Sequence, residues 1–469
     1  MNKELKKNFT YAFIAQGISL IVSCLTNLIL PKVLSVTSFS YWQLFIFYST
    51  YIPCLALGLN DGIYLRYGGF HIDELDYKSV KSQYMFGIIF QTFLGIVVGG
   101  FLILFSKSLN RRLIIALVIV YFLVYTCHNF LGYIFQATNL TNIYSKSIII
   151  QRIVFLFVEI ELLFLVSKNV FEYIPYYIFS LFCALLYLSY KIYPYFKLNK
   201  IDLKYGYREA WISMKTGISL MIANVCSMLI LGVGRQIIDV RWGLLAFGKI
   251  SFSLTLMNFA LTFIMQIGLV LFPALRRLDS KNLQRYYRRL TFSLFYLLPL
   301  MYITYLPMQF VLKLWLPQYT QSINYLALVL PICYFDSRMD LIGNTFFKVL
   351  NKQVLLLKIN ILTILVSGVL GLLSAYLFNN MNFVIIGLVI AIVFRSVISD
   401  ILLSHDIKLN VIILEISDIV LAIVFMLSAN ILNWWISVVL LLVVYIIRVV
   451  LVKIKVIKIK SVGDFNYEE

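Results

Sequence analysis

Charged residues are scarce in this sequence. Asp, Glu, Lys and Arg together make up 13% of its 469 residues, whereas about a quarter is usual in a soluble chain. Hydrophobic residues make up 61%, and the mean hydropathy is +0.90. Apolar runs of about 20 residues recur along the whole chain, and a helix of that length crosses the roughly 30 Å of hydrocarbon in a bilayer. The composition therefore excludes a soluble globular protein and predicts a polytopic α-helical membrane protein.

Residues that carry catalysis or bind metals are also few. The three histidines, His71, His128 and His405, lie in separate segments, and the six cysteines lie in apolar stretches without metal-ligand spacing. The sequence contains no GxxxxGK[ST] motif, so it does not indicate a nucleotide-driven pump. We therefore expect no metal, no cofactor and no enzymatic activity. Any transport would be driven by an ion gradient or by consumption of the product.

Positive charge is in excess, with 40 Lys and Arg against 21 Asp and Glu. We expect no nucleic-acid partner, because Lys and Arg collect in the cytoplasmic loops of membrane proteins. If the N-terminus is cytoplasmic, the segments flanking about fourteen predicted spans hold 26 Lys and Arg inside and 8 outside. This bias predicts that both termini are cytoplasmic. It also predicts that the first span, which follows Lys3, Lys6 and Lys7, is an uncleaved span rather than a signal peptide.

A short repeat relates the two halves of the chain. The tetrapeptide GISL occurs at Gly17–Leu20 in the first predicted span and again at Gly217–Leu220 in the seventh. An even offset of six spans means that both halves cross the membrane in the same direction, as in transporters whose repeats are related by an axis along the membrane normal. We therefore predict an all-α fold with two six-helix lobes, residues 1–200 and 201–408. Residues 409–469 are predicted to add two helices and a basic tail.

Polar side chains recur at helical spacing within three of the predicted spans. In the eighth span they follow one another by four, three, four and four residues, which places them on one face of a helix. We interpret this face as the lining of a water-filled cavity; the alternative is hydrogen bonding between packed helices, which is common for Ser and Thr. The predicted cavity-lining residues are Gln16, Ser19 and Ser23 in the first span, Thr216 and Ser219 in the seventh, and Ser251, Thr255, Asn258, Thr262 and Gln266 in the eighth.

The tenth predicted span carries charge where a bilayer has its middle, in the stretch YFDSRMDLIGN (Tyr334–Asn344). Asp336 and Asp340 share one helix face, and Arg338 lies about 200° round the helix from Asp336. Such charges are costly in hydrocarbon unless they face protein or water and find a partner. Two interpretations stay open. The three residues pair with neighbours such as Arg395, or Arg338 binds an anion while the aspartates hold a proton or a cation.

Four stretches carry a resemblance to a known family. They are GLNDGIYLRYGG (Gly58–Gly69), GRQIIDVRWGLLAFGKISFSLTLMNF (Gly234–Phe259), FPALRRL (Phe272–Leu278) and NTFFKVLNK (Asn344–Lys352). In their order and spacing the chain resembles a Gram-positive branch of the polysaccharide-biosynthesis flippases. These are the Wzx-type O-antigen or capsule transporters of the MOP superfamily, which also holds lipid II flippases and MATE multidrug antiporters.

The resemblance implies two six-helix lobes around a central cavity lined by helices 1, 2, 7 and 8. It implies, as cargo, an undecaprenyl-pyrophosphate-linked oligosaccharide (a capsule, exopolysaccharide or O-antigen repeat unit) that moves from the inner to the outer leaflet of the bacterial plasma membrane by alternating access. The implied partners are this cargo, membrane lipids, and the glycosyltransferases and polymerase that make and use the cargo. The implied cationic binding residues are Arg66, Lys215, Arg235, Lys249 and Arg338. The residues that would couple transport to an ion are Asp61, Asp336 and Asp340.

Two alternatives stand beside the flippase. A MATE-like cation-coupled multidrug exporter would have the same fold, but a binding site for cationic cargo should be acidic rather than basic. A polysaccharide polymerase or ligase would be an enzyme, and it should carry a large outer loop with Arg and His. The predicted outer segments are short, which favours a transporter.

Overall fold

The computed structural model describes residues 3–106, 108–164, 169–197, 199–275, 280–350, 352–407 and 411–462. Within these ranges the chain is almost entirely helical and has no β-strand. Eleven of the described helices are long and apolar enough to cross a membrane, or twelve if the bent pair Val36–Ala56 and Leu59–Tyr67 is counted as one further span. The prediction of an all-α, multi-pass membrane protein is therefore confirmed.

The chain divides into two compact units, Met1–Met228 and Leu229–Glu469. The first unit contains α1 (Lys3–Val33), α2 (Val36–Tyr51), α3 (Leu59–Tyr67), α4 (Tyr77–Phe105), α5 (Leu109–Ala137), α6 (Thr141–Phe164), α7 (Val170–Lys197) and most of α8 (Leu203–Trp242). The second contains the end of α8, then α9 (Leu244–Leu275), α10 (Ser280–Leu297), α11 (Leu300–Trp315), α12 (Thr320–Arg338), α13 (Thr345–Val349), α14 (Gln353–Tyr376), α15 (Met381–Ile407), α16 (Ile412–Ile431) and α17 (Trp434–Val462). The boundary between the units lies inside α8, whereas the sequence placed a lobe boundary just before it. The two C-terminal helices belong to the second unit.

Two predicted spans are helical but do not meet the hydropathy criterion for a membrane span. One is α6, and the other is α12 together with α13. Both carry charges within the apolar run, such as Arg152 and Glu159 in α6 and Asp336 and Arg338 in α12. With these two segments, the helices account for the fourteen spans expected from the sequence.

The second predicted span is broken. α2 is followed by a 3₁₀ turn at Ile52–Ala56, and then Leu57 and Gly58 take left-handed backbone angles, with φ of 48° and 79°. Glycine adopts such angles without steric cost, whereas leucine rarely does. The chain then continues as α3, bent by 57° from the preceding segment. Leu59 and Ile63 of α3 are fully buried in the apolar core of the first unit.

The tenth predicted span is also irregular. α12 ends at Arg338 and is followed by a π-helical turn at Met339–Asn344 before α13 begins. The hydroxyl of Thr345 donates to the carbonyl oxygen of Asp340 at 3.0 Å, which satisfies one acceptor of the widened turn. Turns of this kind inside helices recur at functional sites. The irregularity falls within the charged stretch that the sequence singled out.

Candidate functional site

Small residues bring α3 and α8 into close contact within the first unit. A Cβ atom added to Gly62 would collide with the backbone of Ser213, and one added to Gly217 would collide with the backbone of Gly58 and Gly62. Four residues forward at the start of α3, from Gly58 to Gly62, correspond to four residues back along α8, from Gly217 to Ser213. The two helices therefore pack antiparallel. Small residues at this spacing allow membrane helices to approach closely.

Arg66 occupies the next step of this register. Its Nη1 donates to the carbonyl oxygen of Glu209 at 2.9 Å and to Oγ of Ser213 at 2.8 Å. Its Nη2 lies 2.6 Å from Oε2 of Glu209. The side chains of Arg66 and Glu209 are only 24% and 16% exposed. Arg66, predicted to bind substrate, therefore has both terminal nitrogens engaged in holding α3 against α8.

A polar network extends this contact to α4. Ser213 donates to Oε1 of Gln83 at 2.8 Å, and Nε2 of Gln83 donates to the hydroxyl of Tyr67 at 2.9 Å and to Oγ of Ser79 at 3.0 Å. Ser213, Gln83 and Ser79 are buried. Since buried polar groups in membrane proteins need internal partners, the network fixes the end of α3 that carries Arg66.

One face of α8 is exposed and basic. Lys204, Arg208, Trp211 and Lys215 follow one another by four, three and four residues, and all four are exposed. Nζ of Lys215 lies 5.8 Å from the centre of the Trp211 ring, within reach of a cation–π interaction. We call these four residues the basic face of α8. Neither of the two acidic residues of α8 is exposed: Glu209 is half-buried and paired with Arg66, and Asp239 is buried. Every exposed charged residue of α8 is therefore basic.

A groove of about 450 Å³ lies along the first turns of this face. It is lined by Asp202, Lys204, Tyr205, Tyr207, Arg208, Trp211 and Ile212. Among the described residues, Lys204 and Arg208 make no ion pair, whereas Asp202 lies 3.9 Å from Nζ of Lys78. Sequence reasoning singled out only Lys215 and treated Lys204 and Arg208 as loop charges. Their helical spacing to Lys215 was the signal that would have placed them on one face.

The predicted cavity-lining residues differ in exposure. Four of them are exposed: Gln16 on α1, Thr216 and Ser219 on α8, and Asn258 on α9. Four are half-buried: Ser19 and Ser23 on α1, and Thr255 and Thr262 on α9. Ser251, at the start of the α9 stripe, is buried. The side chain of Gln266 lies outside the described residues. The hydroxyls of Thr216, Thr255 and Thr262 each donate to the carbonyl oxygen four residues earlier. The exposed positions agree with a wet face, and the buried end of the α9 stripe agrees with helix packing.

Arg235 and Lys249 belong to the second unit, and both are half-buried. Nε of Arg235 donates to Oγ of Ser251 at 3.2 Å, and its guanidinium lies 5.4 Å from the centre of the Phe247 ring. Nζ of Lys249 donates to Oε1 of Gln321 at 2.5 Å. Both cations therefore have partners on neighbouring elements while part of each stays accessible.

Arg338 is not accessible. It is 2% exposed, and its guanidinium contacts Asp400, Glu415 and Asp418. Asp336 lies 3.4 Å from Nη1 of Arg395. Of the two interpretations left open by the sequence, the geometry of Arg338 and Asp336 favours pairing. Arg338 is unsuited to bind an anion, because three carboxyl groups already occupy it.

The remaining predicted coupling residues have fewer partners. Asp340 accepts a hydrogen bond from Nδ2 of Asn344 at 2.7 Å. Asp61 lies half-buried in the first turn of α3, directly after the bend, where the helix dipole favours a negative charge. A coupling role for Asp61 or Asp340 stays a prediction.

Solved structures identify the fold of this helical architecture. An inward-facing multidrug resistance MATE family transporter of the MOP superfamily matches with a TM-score of 0.59 and 10% identity, over 87% of this chain and 98% of that chain. The lipid II flippase MurJ in an inward closed conformation matches with a TM-score of 0.59 and 12% identity, over 96% of this chain and 99% of that chain. An outward-facing MATE family transporter matches with a TM-score of 0.53 and 13% identity, over 87% of this chain and 97% of that chain.

These likenesses establish that the chain has the fold of MOP superfamily transporters. At such low identity they establish the fold alone. No family model matches the sequence, and no curated protein sequence matches it.

Proposed function

We propose that this protein is a flippase for an undecaprenyl-pyrophosphate-linked oligosaccharide, the repeat unit of a capsule, exopolysaccharide or O-antigen. It moves the polar headgroup from the inner to the outer leaflet of the bacterial plasma membrane, with both of its own termini in the cytoplasm. Glycosyltransferases supply the cargo and a polymerase consumes it. The observation that carries this proposal is the basic face of α8 and its groove.

The chemistry of the groove suits such a headgroup. Phosphate oxygens are strong acceptors for Arg and Lys, and Lys204 and Arg208 line the groove without ion-pair partners in the described part of the chain. Tyr205, Tyr207 and Trp211 line it as well, and aromatic side chains of this kind are favoured at the level of lipid headgroups. The fold supports the same function, since the match to the lipid II flippase extends over 96% of this chain.

The distribution of acids argues against a cationic cargo. In the second unit, Asp400, Glu415 and Asp418 are each at most 2% exposed and contact Arg338. In the first unit, Glu209 of α8 is neutralised by Arg66. A drug exporter needs accessible acids at its binding site, whereas α8 presents accessible cations. The basic face therefore favours the flippase over the exporter.

Flipping measured in proteoliposomes tests the proposal directly. The double variant Arg208→Gln, Lys215→Gln removes two charges from the basic face. It leaves in place the residues that hold α3 against α8. Because each charge-assisted hydrogen bond contributes about 1.5–3 kcal/mol, we expect flipping of the lipid-linked oligosaccharide to fall at least about tenfold. Lys191→Gln on α7 is the matched control, since Lys191 is exposed and lies 5.5 Å from the Tyr190 ring centre, as Lys215 lies against Trp211.

Two results would contradict the proposal. The first is full flipping by the double variant, which would remove the basic face of α8 from the mechanism. The second is efflux of a cationic dye by the wild type without any flipping, which would identify a drug exporter.

A further inference from the structure

A buried group of five charged side chains lies inside the second unit and joins α12, α15, α16 and α17. Nη2 of Arg338 lies 2.6 Å from Oδ2 of Asp400 and also contacts Glu415, while its Nη1 contacts Asp418. Arg448 of α17 contacts the other oxygen of Asp418. Each member is at most 4% exposed. We call this group the ion cluster: Arg338, Asp400, Glu415, Asp418 and Arg448.

The charges of the ion cluster do not balance. If all five side chains are ionised, three carboxylates face two guanidinium groups, and one negative charge is left over in a site closed to water. Such a charge is strongly unfavourable. Arg395, which shares α15 with Asp400, does not supply the missing cation, because its Nη1 lies 3.4 Å from Asp336 and it is paired with that carboxylate. Among the described residues, the other titratable side chains that interact with the cluster are tyrosines, which carry no positive charge in any state: Tyr287 of α10, Tyr302 of α11 and Tyr334 of α12.

The excess negative charge of the ion cluster falls on Asp400 and Glu415. Both contact the same nitrogen of Arg338, so they are held side by side. Ionised carboxylates are acceptors only, so two of them form a hydrogen bond only when one carries a proton. Oε2 of Glu415 is buried and has no hydrogen-bond partner within the described residues. Asp418 differs, because it contacts Arg338 and Arg448 and also accepts from Tyr334 at 2.7 Å.

We propose that Asp400 and Glu415 share one bound proton, and that this proton holds α15 and α16 together on Arg338. With the proton bound, the cluster is neutral and the two carboxyl groups are joined by a hydrogen bond. Without it, two like charges lie side by side where α15 meets α16, and they repel each other. A metal ion fits less well, because no three acidic, histidine or cysteine side chains among the described residues are placed to ligate one. The inference holds whether or not the protein flips a lipid-linked cargo.

Neutral substitutions of the purified full chain test the count of charges. Glu415→Gln or Asp400→Asn alone replaces the shared proton with a permanent neutral group, so each single variant is expected to unfold within about 2 °C of the wild type. The double variant leaves two guanidinium groups with Asp418 alone, and its unfolding temperature is expected to fall by more than about 5 °C. If each single variant is destabilised as much as the double variant, both carboxyl groups are ionised and the proposal is wrong.

Infrared spectroscopy gives a second readout that does not depend on stability. At neutral pH the spectrum of the wild type should contain the C=O stretch of the shared protonated carboxyl group. The spectrum of each single variant should lack this component, whereas any contribution from the buried Glu159 of α6 should be the same in all three proteins. The component should persist in Glu209→Gln, the matched control, because Glu209 is neutralised by Arg66. Identical bands in the wild type and both single variants would overturn the proposal. A second result would also overturn it: an unfolding temperature that rises with sodium concentration, at constant ionic strength, in the wild type but not in Glu415→Gln. The pair would then bind a metal cation instead of a proton.

Discussion

At the scale of single residues, the partner of a charge determines its role more than its position in the sequence does. Arg66 and Arg208 both lie near the ends of predicted spans, and the resemblance implied a binding role for Arg66 only. In the structure, Arg66 is committed to Glu209 and Ser213, whereas Arg208 lines an open groove. We therefore expect substitutions at the two positions to have different consequences.

We expect Arg66→Ala to lower the free energy of unfolding rather than to act directly on transport. It removes two hydrogen bonds and an ion pair from a contact that is largely shielded from water, and the expected loss is about 1–3 kcal/mol in the free energy of unfolding. A double-mutant cycle of Arg66→Ala and Glu209→Ala, followed by thermal unfolding in detergent, should show coupling between the two residues.

Lys78→Ala is the control for this cycle. Lys78 lies 3.9 Å from Asp202, and both side chains are about half exposed, so its loss should change stability by less than about 1 kcal/mol. Additive effects of Arg66→Ala and Glu209→Ala would refute the coupling and return Arg66 to the list of candidate substrate ligands.

The sequence could predict that charges in the tenth span need partners, but not which partners they have. Arg395 was named in advance as a candidate, and it does contact Asp336. The partners of Arg338 lie on two different helices, Asp400 on α15 and both Glu415 and Asp418 on α16. Which helices become neighbours depends on packing that no local pattern records. For this reason the balance of the ion cluster could be read only from the structure.

At the scale of helices, close packing depends on a few glycines. α3 has nine residues and little hydrophobic character of its own, so its sequence alone does not indicate a buried helix. Its position comes instead from Gly58 and Gly62, which let its backbone touch that of α8. Hydropathy identified the long helices correctly, whereas this short one depends on a contact between distant parts of the chain.

Gly62→Ala should disrupt the pairing of α3 with α8. The added Cβ atom would meet the backbone of Ser213, which cannot turn aside as a side chain can. We expect a lower unfolding temperature and a weaker coupling between Arg66 and Glu209 in the double-mutant cycle, because Arg66 lies one turn further along the same contact.

Gly100→Ala on α4 is the control for this substitution. No atom lies within 4 Å of a Cβ added there, and alanine is favoured over glycine in a helix by about 1 kcal/mol. Its stability should therefore equal or exceed that of the wild type. Equal stability of Gly62→Ala and Gly100→Ala would show that α3 does not need the close approach.

At the scale of the whole molecule, the number of membrane crossings depends on segments that look too polar to cross. α6 fails the hydropathy criterion, yet two of its charged groups, Lys146 and Glu159, contact other parts of the protein. Glu159 is 1% exposed and accepts from the hydroxyl of Thr26 at 2.9 Å, and Nζ of Lys146 lies 4.9 Å from the centre of the Tyr11 ring. Charged groups that face protein rather than lipid are tolerated within a membrane helix.

We therefore predict that α6 crosses the membrane, with Asn139 on the cytoplasmic side and Asn169 on the outer side. Fusions of green fluorescent protein and of alkaline phosphatase after each residue test this. The fluorescent reporter should be active only after Asn139, and the phosphatase only after Asn169. Fusions after Ser106 and after Asn139 are the control, because they flank the strongly apolar α5. They should report opposite sides whether or not α6 crosses. If Asn139 and Asn169 report the same side, α6 does not cross, and the even count that places both termini in the cytoplasm is lost.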